Sequence, residues 1–329
     1  MNVGRKILSL FIAAVLVISA VVPIDAKAAG TVSAVKGVWI SFQDIQTFLK
    51  GKDQQDFDVT FSAMCDKAAA QGCNTLFVHV RSHNDAIYPS SVYPWSTVML
   101  NGDPGFDPLK DMVAIAHSKG LAFHAWINPY GYRKGVYCGN AALATNANIL
   151  AGVQEIVTGY AVDGIHFDDY FPPVGTAVIN SMVAGVHAIC AANGKIFGIS
   201  PQGNIENNRK MGADVVTWLS KRGYVDYICP QIYWTDSYGK NGNVTMFSNR
   251  LAAWKALDTA GIPMYVGLAA YRAGQPSGSD PGWSRSSSNL AGQVLKAENA
   301  GYGGYIIFSF SSMYSASAQA ELAALKTVK

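Results

Sequence analysis

Two adjacent aspartates are the residues of this sequence best suited to chemistry. Asp168 and Asp169 close the apolar run from Gly164 to Tyr170. Cleavage of a glycosidic bond usually needs two carboxyl groups, one acting as an acid and one as a carboxylate that stabilises or attacks the sugar carbon. Because neighbouring residues of a strand face opposite ways, we expect Asp168 to point into the site, with Asp169 contributing if the strand has already ended. For one of the pair, a helix cap or an ion pair with Arg81 is at least as good an interpretation.

The second carboxyl group of such a reaction is left open by the sequence. Asp85, Glu206 and Asp236 all lie in segments that follow apolar runs, so each is a candidate. A separation of about 5 Å between the two carboxyl groups gives retention, and about 6.5–9.5 Å gives inversion. The stereochemical course is therefore also left open.

Aromatic and polar side chains recur at the ends of the other apolar runs. Ring faces stack on the C–H face of a sugar while amides and a guanidinium bond its hydroxyls, so this composition favours a carbohydrate pocket over a site where the polar groups only satisfy one another. Tyr271 ends another run, and Trp95 and Tyr132 in the loops are candidates to extend the groove. The expected substrate-binding residues are Trp39, Arg81, His124, Trp126, Asn128, Tyr170, Gln202, Gln231, Tyr233 and Trp234.

Three histidines share the phase expected to point inward from consecutive apolar runs: His79, His124 and His166. A metal site would suit a metal-dependent polysaccharide deacetylase. No two of these three histidines have His-x-His or His-x-x-x-His spacing, however, and neutral histidines bonded inside a core are commoner. We expect no metal and no cofactor, and keep the deacetylase as an alternative function.

Eight short apolar runs must position these side chains. Stretches with helical periodicity separate them, such as residues 149–160 and 178–189, and glycines stand near many helix ends. Near-continuous apolar strands that alternate with helices are typical of a parallel sheet covered on both faces. The runs are Gly37 to Phe42, Thr75 to Arg81, Ala122 to Asn128, Gly164 to Tyr170, Lys195 to Ser200, Tyr227 to Tyr233, Met264 to Tyr271 and Gly304 to Phe310.

The pattern predicts an α/β protein with a single (β/α)8 TIM barrel. A doubly wound open sheet would usually carry a glycine-rich turn after its first strand, and the segment Gln43-Asp44-Ile45-Gln46 has none. The longest insertions follow the second strand (82–107) and the third (129–145). In a barrel these loops lie over the active face, at the carboxyl ends of the strands.

The first 28 residues have the features of a secretory signal peptide. Lys6 closes a basic start, residues 7–22 are mostly apolar, and Ala26-Lys27-Ala28 supplies small residues at a cleavage point. A retained membrane anchor is the alternative, but the apolar run is short for a span of about 20 residues. We therefore expect residues 29–329 to form one barrel domain, secreted or held in the cell envelope, with no integral membrane segment after signal removal.

Composition excludes several other classes of protein. The chain has 329 residues, of which 50% are hydrophobic and 14% charged, so it is not a disordered chain. A net charge of +3 is too small to indicate nucleic acid as a partner. The expected partner, a polysaccharide or oligosaccharide, follows from the aromatic and polar side chains at the ends of the apolar runs. The five cysteines are odd in number and lack Cys-x-x-Cys spacing, so no disulfide framework is predicted.

Several strings together resemble the glycosyl-hydrolase-like family ten, from about Lys36 to the end of the chain. The resemblance implies a (β/α)8 barrel, and the family includes bacterial enzymes that act on peptidoglycan glycan strands. It places Arg81, Asp85, Asn128, Asp168, Asp169, Gln231 and Tyr233 on motif positions, and so adds Asp85 to Asp168 and Asp169 as a candidate catalytic residue. The strings include residues 37–39, 85–90, 94–96, 124–130, 162–170, 197–201 and 230–234.

Two departures from the family pattern concern the substrate subsite. Where such proteins commonly continue the fifth-strand Ser-Pro with an aromatic and an Arg-Asn pair, this chain reads Gln202-Gly203-Asn204-Ile205-Glu206-Asn207-Asn208-Arg209, and Thr235-Asp236 follows Trp234. The fourth strand is also loosely similar to that of chitinases, but Tyr170 stands at the catalytic Glu position, so a chitinase mechanism is not available. The leading hypothesis is an exported glycoside hydrolase acting on a cell-wall polysaccharide, and a carbohydrate-binding barrel without turnover is the alternative.

Overall fold

A computed structural model describes residues 34–275 and 277–328. The expected signal peptide, residues 1–28, lies outside the described residues. Eight strands form one parallel sheet, in the same order as the eight apolar runs. They are β1 (Val35–Ile40), β2 (Thr75–Arg81), β3 (Ala122–Ile127), β4 (Gly164–Phe167), β5 (Ile196–Ile199), β6 (Tyr227–Ile228), β7 (Val266–Ala269) and β8 (Gly304–Phe308).

The sheet closes into a barrel, which confirms the predicted fold class. Each strand pairs in parallel with its neighbours along the chain, and β1 pairs with β8. The remaining seam, between β6 and β7, is closed by parallel bridges from Ile228 to Met264 and from Gln231 to Gly267. A closed barrel has no free sheet edge, and the carboxyl ends of all eight strands meet on one face.

Helices cover the outside of the barrel, and most match the predicted periodic stretches. One helix, which follows β1 directly, was not predicted because its seven residues are too few to show periodicity. Ser41 caps this helix, and its Oγ accepts a hydrogen bond from Asp44 N–H. The helices are α1 (Phe42–Phe48), α2 (Gln54–Ala70), α3 (Pro108–Ser118), α4 (Asn146–Gly159), α5 (Thr176–Ala192), α6 (Ile205–Lys210), α7 (Val215–Ser220), α8 (Met246–Lys255), α9 (Gly282–Arg285), α10 (Asn289–Asn299) and α11 (Gln319–Leu325). No helix among the described residues is long and apolar enough to cross a bilayer.

The barrel interior is packed with aromatic rings. A buried cluster of Trp39, Phe77, Trp126, Tyr227, Cys229 and Ile306 fills it, separate from the larger core between strands and helices. Gly198 of β5 faces the ring of Tyr227, and a Cβ at this position would lie 2.1 Å from that ring. The interior layer beneath the mouth is therefore set by a glycine opposite a tyrosine.

Replacing Gly198 with alanine is expected to destabilise the barrel by about 1–3 kcal/mol or more, because Tyr227 is buried on all sides and the added methyl group overpacks the interior. Chemical denaturation monitored by tryptophan fluorescence measures the change. Gly292→Ala is the matched control, since a Cβ there meets nothing within 4 Å. Equal stability of the two variants would show that this interior layer repacks freely.

The two long insertions cover the mouth and are joined to each other. The second contains a short hairpin, with strands Tyr132–Arg133 and Val136–Tyr137. Asn84 N–H in the first insertion donates to Cys138 O in the second (3.0 Å). The five cysteines are free thiols, and four of them are buried.

Candidate active site

A cavity of about 430 Å³ opens at the carboxyl ends of the barrel strands. Two flanking depressions, of about 340 and 270 Å³, share lining residues with it or with each other, so the three form one groove across the mouth. Among the residues lining the groove in the described part of the chain, Asp168 is the only carboxylate. The central cavity is lined by Trp39, Gln43, Trp126, Arg133, Lys134, Asp168, Tyr170, Gln231, Tyr233, Tyr271 and Phe308.

Asp168 follows the last residue of β4 and presents its carboxylate to this cavity. Its Oδ1 accepts from Gln231 Nε2 (3.0 Å) and from the Asp169 N–H (2.8 Å). The Gln231 amide is itself fixed, because Nε2 also donates to Ser200 O (2.9 Å). Burial raises the pKa of Asp168, while these hydrogen bonds and the charge of Arg133 partly oppose the rise. The arrangement orients a carboxylate toward the space where a ligand would lie.

Asp169 lies behind Asp168 and is not among the residues that line the groove. Burial raises its pKa well above the ordinary value, and the adjacent charge of Asp168 raises it further. Two neighbouring buried carboxyl groups cannot both ionise easily, so the pair titrates as a unit. The negative charge of the pair therefore lies preferentially on Asp168, where the donors converge, and the proton preferentially on Asp169.

Arg133 is the guanidinium that accompanies Asp168. It lies in the hairpin over the mouth, and its guanidinium carbon is 4.9 Å from the centre of the Phe42 ring and 5.7 Å from that of Tyr170. Its positive charge favours the ionised form of Asp168 and so opposes the rise in the pKa of that residue. Burial raises the pKa of Tyr170 to about 12, and the charge of Arg133 opposes that rise as well. The site thus balances the aspartate pair with a cation from a loop.

Arg133→Met is expected to raise the pKa of Asp168, since an opposite charge nearby favours the ionised carboxylate. Carboxyl-carbon NMR of the free protein measures this without any substrate. Arg209→Met is the control, because Arg209 is exposed and pairs with Glu206 at 2.9 Å. Titration of Asp168 that is identical in both variants would show that Arg133 does not stabilise its charge.

Arg81 does not lie in the mouth, contrary to the expectation from strand alternation. The pairing of β2 with β3 shifts between His79 and Arg81. Arg81 therefore stands opposite Ile127, whereas an unshifted register would pair it with Asn128. One extra residue in a strand moves the next side chain to the other face. Arg81 is therefore buried outside the barrel, where its guanidinium carbon lies 4.3 Å from the centre of the Tyr93 ring.

Aromatic rings form the walls of the central cavity, as expected. Tyr233 stacks on Phe308 at a centroid distance of 5.9 Å, and Tyr271 meets both rings edge-on. On the opposite side, Trp126 stacks on His79 at 3.4 Å. These walls leave flat ring faces beside Asp168, which suits the C–H face of a sugar ring.

The three inward histidines are held by hydrogen bonds inside the barrel. Trp39 Nε1–H donates to His166 Nε2 (3.0 Å), so His166 Nδ1 carries the proton and donates to Tyr227 Oη (2.7 Å). Tyr227 Oη also shares a hydrogen bond with His124 Nδ1 (3.3 Å), and burial lowers the pKa of His124 to about 4. The structure thus gives these rings structural partners. Within residues 34–275 and 277–328, no group of three metal-ligating side chains is arranged around a common point.

The remaining expected substrate-binding residues fall into two groups. Trp39, Trp126, Tyr170, Gln231 and Tyr233 line the central cavity, and Gln202 and Trp234 line its flanks. His124 and Asn128 do not line the groove. The Asn128 side chain accepts from His79 Nε2–H (3.1 Å) and donates to Ser82 O (2.8 Å), so it joins the second insertion to the first.

The three other candidate carboxyl groups lie away from the cavity. Glu206 is exposed on α6 and pairs with Arg209. Asp236 accepts from Ser248 N–H (2.8 Å) near the start of α8 and pairs with Lys296, and these partners lower its pKa. Asp85 is buried beneath the first insertion and does not line the groove. The structure therefore brings only Asp168 and Asp169 together at the mouth.

Four cavity residues were not identified from the sequence: Gln43, Arg133, Lys134 and Phe308. Gln43 belongs to the unpredicted helix α1, and Phe308 was assigned only to a strand. Arg133 and Lys134 lie in the insertion that was expected to cover the active face, so its two adjacent cations were the available signal.

Comparison with known families and proteins accords with this geometry. The family described as glycosyl hydrolase-like 10 matches residues 34–143 and 175–285, more than half of the chain. The segment that carries Asp168 and Asp169 lies between the two matched stretches. Relatives include the glycosyl hydrolase YngK of Bacillus subtilis, 28% identical over 311 residues, covering 71% of this chain and 59% of that protein. The glycosyl hydrolase DigH of Escherichia coli K12 is 28% identical over 293 residues, covering 64% and 65%.

The chain thus spans about three fifths to two thirds of the length of these curated relatives. Among solved structures, the glycoside hydrolase domain of PgaB from Bordetella bronchiseptica superposes with a TM-score of 0.59 at 10% identity, covering 90% of this chain and all of that one. The spore cortex-lytic enzyme SleL of Bacillus megaterium gives 0.56 at 8% identity, covering 90% and 74%. At such identities the likeness establishes the shared barrel fold.

Proposed function

Because this chain belongs to the glycosyl hydrolase-like 10 family, we propose that it is an exported enzyme that hydrolyses glycosidic bonds in a bacterial cell-wall polysaccharide, with the glycan strands of peptidoglycan as substrate. The observation that carries the proposal is the position of Asp168. It is the one carboxylate lining the described groove, and it lies between aromatic walls at the carboxyl ends of the strands. In barrels of this kind, catalytic residues stand at that face.

The aspartate pair supplies the two functions that hydrolysis needs. As the bond between the sugar carbon and the leaving oxygen breaks, positive charge develops on the ring and the leaving oxygen takes a proton. Asp168 faces the cavity with its negative charge held by Gln231, Asp169 N–H and Arg133, so it stabilises that developing charge. Burial and the charge of Asp168 raise the pKa of Asp169, so we assign the proton of the pair to Asp169. Because Asp169 does not line the groove, this proton reaches the leaving oxygen by way of Asp168 or a water molecule. The water that adds to the sugar carbon returns a proton to the pair.

The charge of the groove favours an anionic glycan. Lys134 and Lys210 line the flank that contains Tyr132 and Tyr170, and no acidic residue lines that flank within the described chain. The opposite flank carries the amides of Gln202, Asn204 and Asn207 together with one cation, Arg272. Glycan strands of peptidoglycan alternate a neutral amino sugar with one bearing a carboxylate, which fits a groove that has cations on both flanks. The structural neighbour named as a spore cortex-lytic enzyme accords with a cell-wall substrate.

Lys210→Gln is expected to raise KM up to several-fold for a carboxylate-bearing glycan, since an exposed ion pair is worth at most about 1 kcal/mol. The value of kcat should change little, because Lys210 lines the flank and not the central cavity that Asp168 lines. Uncharged N-acetylglucosamine oligomers serve as the matched substrate. An equal rise in KM for both substrates would contradict the anionic subsite.

Reducing-end release tests the proposed activity. The protein comprising residues 29–329 is incubated with purified glycan strands, with and without their peptides, beside the Asp168→Asn variant. New reducing ends that require Asp168 support the proposal. A wild-type protein that releases none on either substrate over long incubation would overturn it.

A carbohydrate-binding barrel without turnover is the competing function, favoured by the unusual segment Gln202–Arg209 after β5. In the same incubation, retained binding of glycan without hydrolysis identifies that outcome.

Export is tested separately. The first residue of protein recovered from the producing cell's exterior should follow residue 28, and protein that retains its first 28 residues in the cytoplasm would contradict it.

A further inference from the structure

Arg81 is the only buried lysine or arginine among residues 34–275 and 277–328. No carboxylate there lies within 4 Å of its guanidinium. Its Nη2 donates to Pro129 O at 2.8 Å, and the ring of Tyr93 covers one face. A buried charge without a close partner costs the folded state several kcal/mol. The position of Arg81 therefore calls for an explanation.

Asp85 is the acidic group whose charge interacts with Arg81. It is also buried, 8% exposed, and lies four residues further along the chain. Burial raises its pKa, and the positive charge of Arg81 is among the influences that oppose the rise. The positive charge of Arg81 thus favours ionisation of Asp85, which lies beneath the first insertion and outside the groove.

The single hydrogen bond from Arg81 reaches the root of the hairpin over the mouth. Pro129 directly follows Asn128 at the end of β3. Two residues later, Gly131 has φ +58°, and a Cβ there would lie 2.7 Å from the Asn84 side chain. Cys138 N–H donates to Gly131 O (2.7 Å), which closes the base of the hairpin. The hairpin root is therefore held by Arg81 of β2 at Pro129 and by Asn84 of the first insertion at Cys138.

We propose that Arg81 is a positioning residue that fixes the root of the segment 129–138 and so places Arg133 in the cavity that Asp168 lines. The proposal deepens the proposed function, on which its catalytic consequence rests. Arg133 is four residues from the anchored Pro129 and reaches the cavity across the ring of Phe42. A loosened root removes the cation from the carboxylate without touching either residue.

Titration of Asp168 in the free protein tests the positioning role. Carboxyl-carbon NMR is compared in the wild type, Arg81→Met, Arg133→Met and the double variant. Both single variants should raise the pKa of Asp168, and the double variant should raise it no further than Arg133→Met alone, because both act through one cation. The other groups that face Asp168, namely Asp169, Tyr170, Lys134 and Tyr233, are the same in all four proteins.

Two outcomes would overturn the proposal: an unchanged Asp168 titration in Arg81→Met while Arg133→Met shifts it, or shifts that add in the double variant. Arg81→Lys provides a variant that keeps the buried charge if Arg81→Met does not fold. It should give a smaller shift in the same direction and faster amide exchange at Asn84 and Cys138, and unchanged exchange with unchanged titration would count against positioning. None of these readouts needs substrate, so they remain decisive even if the protein proves not to hydrolyse glycans.

Discussion

Asp168→Asn is expected to lower kcat on glycan strands by about a thousandfold or more, while the protein folds and binds the glycan as before. Asparagine has the shape of aspartate, and its Oδ1 still accepts from Gln231 Nε2 and from the Asp169 N–H. It lacks the negative charge, which matters only when positive charge develops on the sugar ring. Steady-state rates from reducing-end release and the glycan dissociation constant together measure the two effects.

Glu206→Gln is the matched control for this loss. Glu206 is a carboxylate of the same barrel face, but it is exposed and pairs with Arg209 outside the groove. It should keep wild-type turnover. Near-normal activity in Asp168→Asn, with activity lost in Asp169→Asn, would mean that Asp169 is the residue facing the substrate. If both variants remain active, the β4 mechanism is wrong and Asp85 and Asp236 become the next residues to replace.

Asp169→Asn is expected to have the second large effect, a loss of turnover of about 10²-fold or more, because an amide cannot supply the proton of the pair. The wild-type rate should fall at acid pH, where Asp168 takes up a proton, and at alkaline pH, where Asp169 loses its own. Burial raises both pKa values, that of Asp169 further. The alkaline limb should disappear in the variant, as a pH profile of kcat/KM measures.

The same substitution should stabilise the fold near neutral pH. A carboxyl group whose pKa is raised in the folded state contributes its full stability below its unfolded pKa, near 4, and loses it as pH rises through the folded value. Between these two pKa values the carboxyl group ionises only in the unfolded chain, which lowers the free energy of unfolding by about 1.4 kcal/mol per pH unit. Asparagine does not ionise, so the variant does not lose this stability. Thermal unfolding at several pH values should therefore show equal Tm near pH 4 and a rising advantage of Asp169→Asn above it. A variant that is less stable at all pH values would show that Asp169 is not held protonated.

The barrel and its main carboxylate could be predicted from the sequence because both depend on local patterns. Eight apolar runs alternate with helical stretches, and a two-residue period places Asp168 of β4 at the mouth. The family resemblance carried the same conclusion. Trp126, Gln231 and Tyr233 were located in the same way, since each lies at or near a strand end.

The cation of the site could not be predicted, since its placement depends on tertiary structure. The alternation rule assigns Arg81 to the mouth, but the shift in pairing at the end of β2 turns it to the outer face. The sequence of β2 contains no feature that predicts this shift in strand pairing. Arg133 reaches Asp168 from an irregular loop, where no period applies, so only the position of the insertion pointed to it.

The histidines show the opposite limitation. Their common inward phase was correctly read from the sequence, and it suggested a metal site as an alternative. The hydrogen bonds among Trp39, His166, Tyr227 and His124 depend on Tyr227 of β6 and on the space that Gly198 leaves for it. Partners from distant strands decide whether inward histidines ligate or pack.

The position of a bound glycan relative to residue 168 tests the central claim most directly. A crystal structure of Asp168→Asn with an oligosaccharide of the peptidoglycan glycan should show the chain lying along the groove between Trp126 and Tyr233. Its scissile bond should lie over residue 168, with the side chain within about 3.5 Å of the sugar carbon or glycosidic oxygen. An oligosaccharide that occupies the groove with every glycosidic bond beyond the reach of residues 168 and 169 would contradict the assignment of this pair as the catalytic centre.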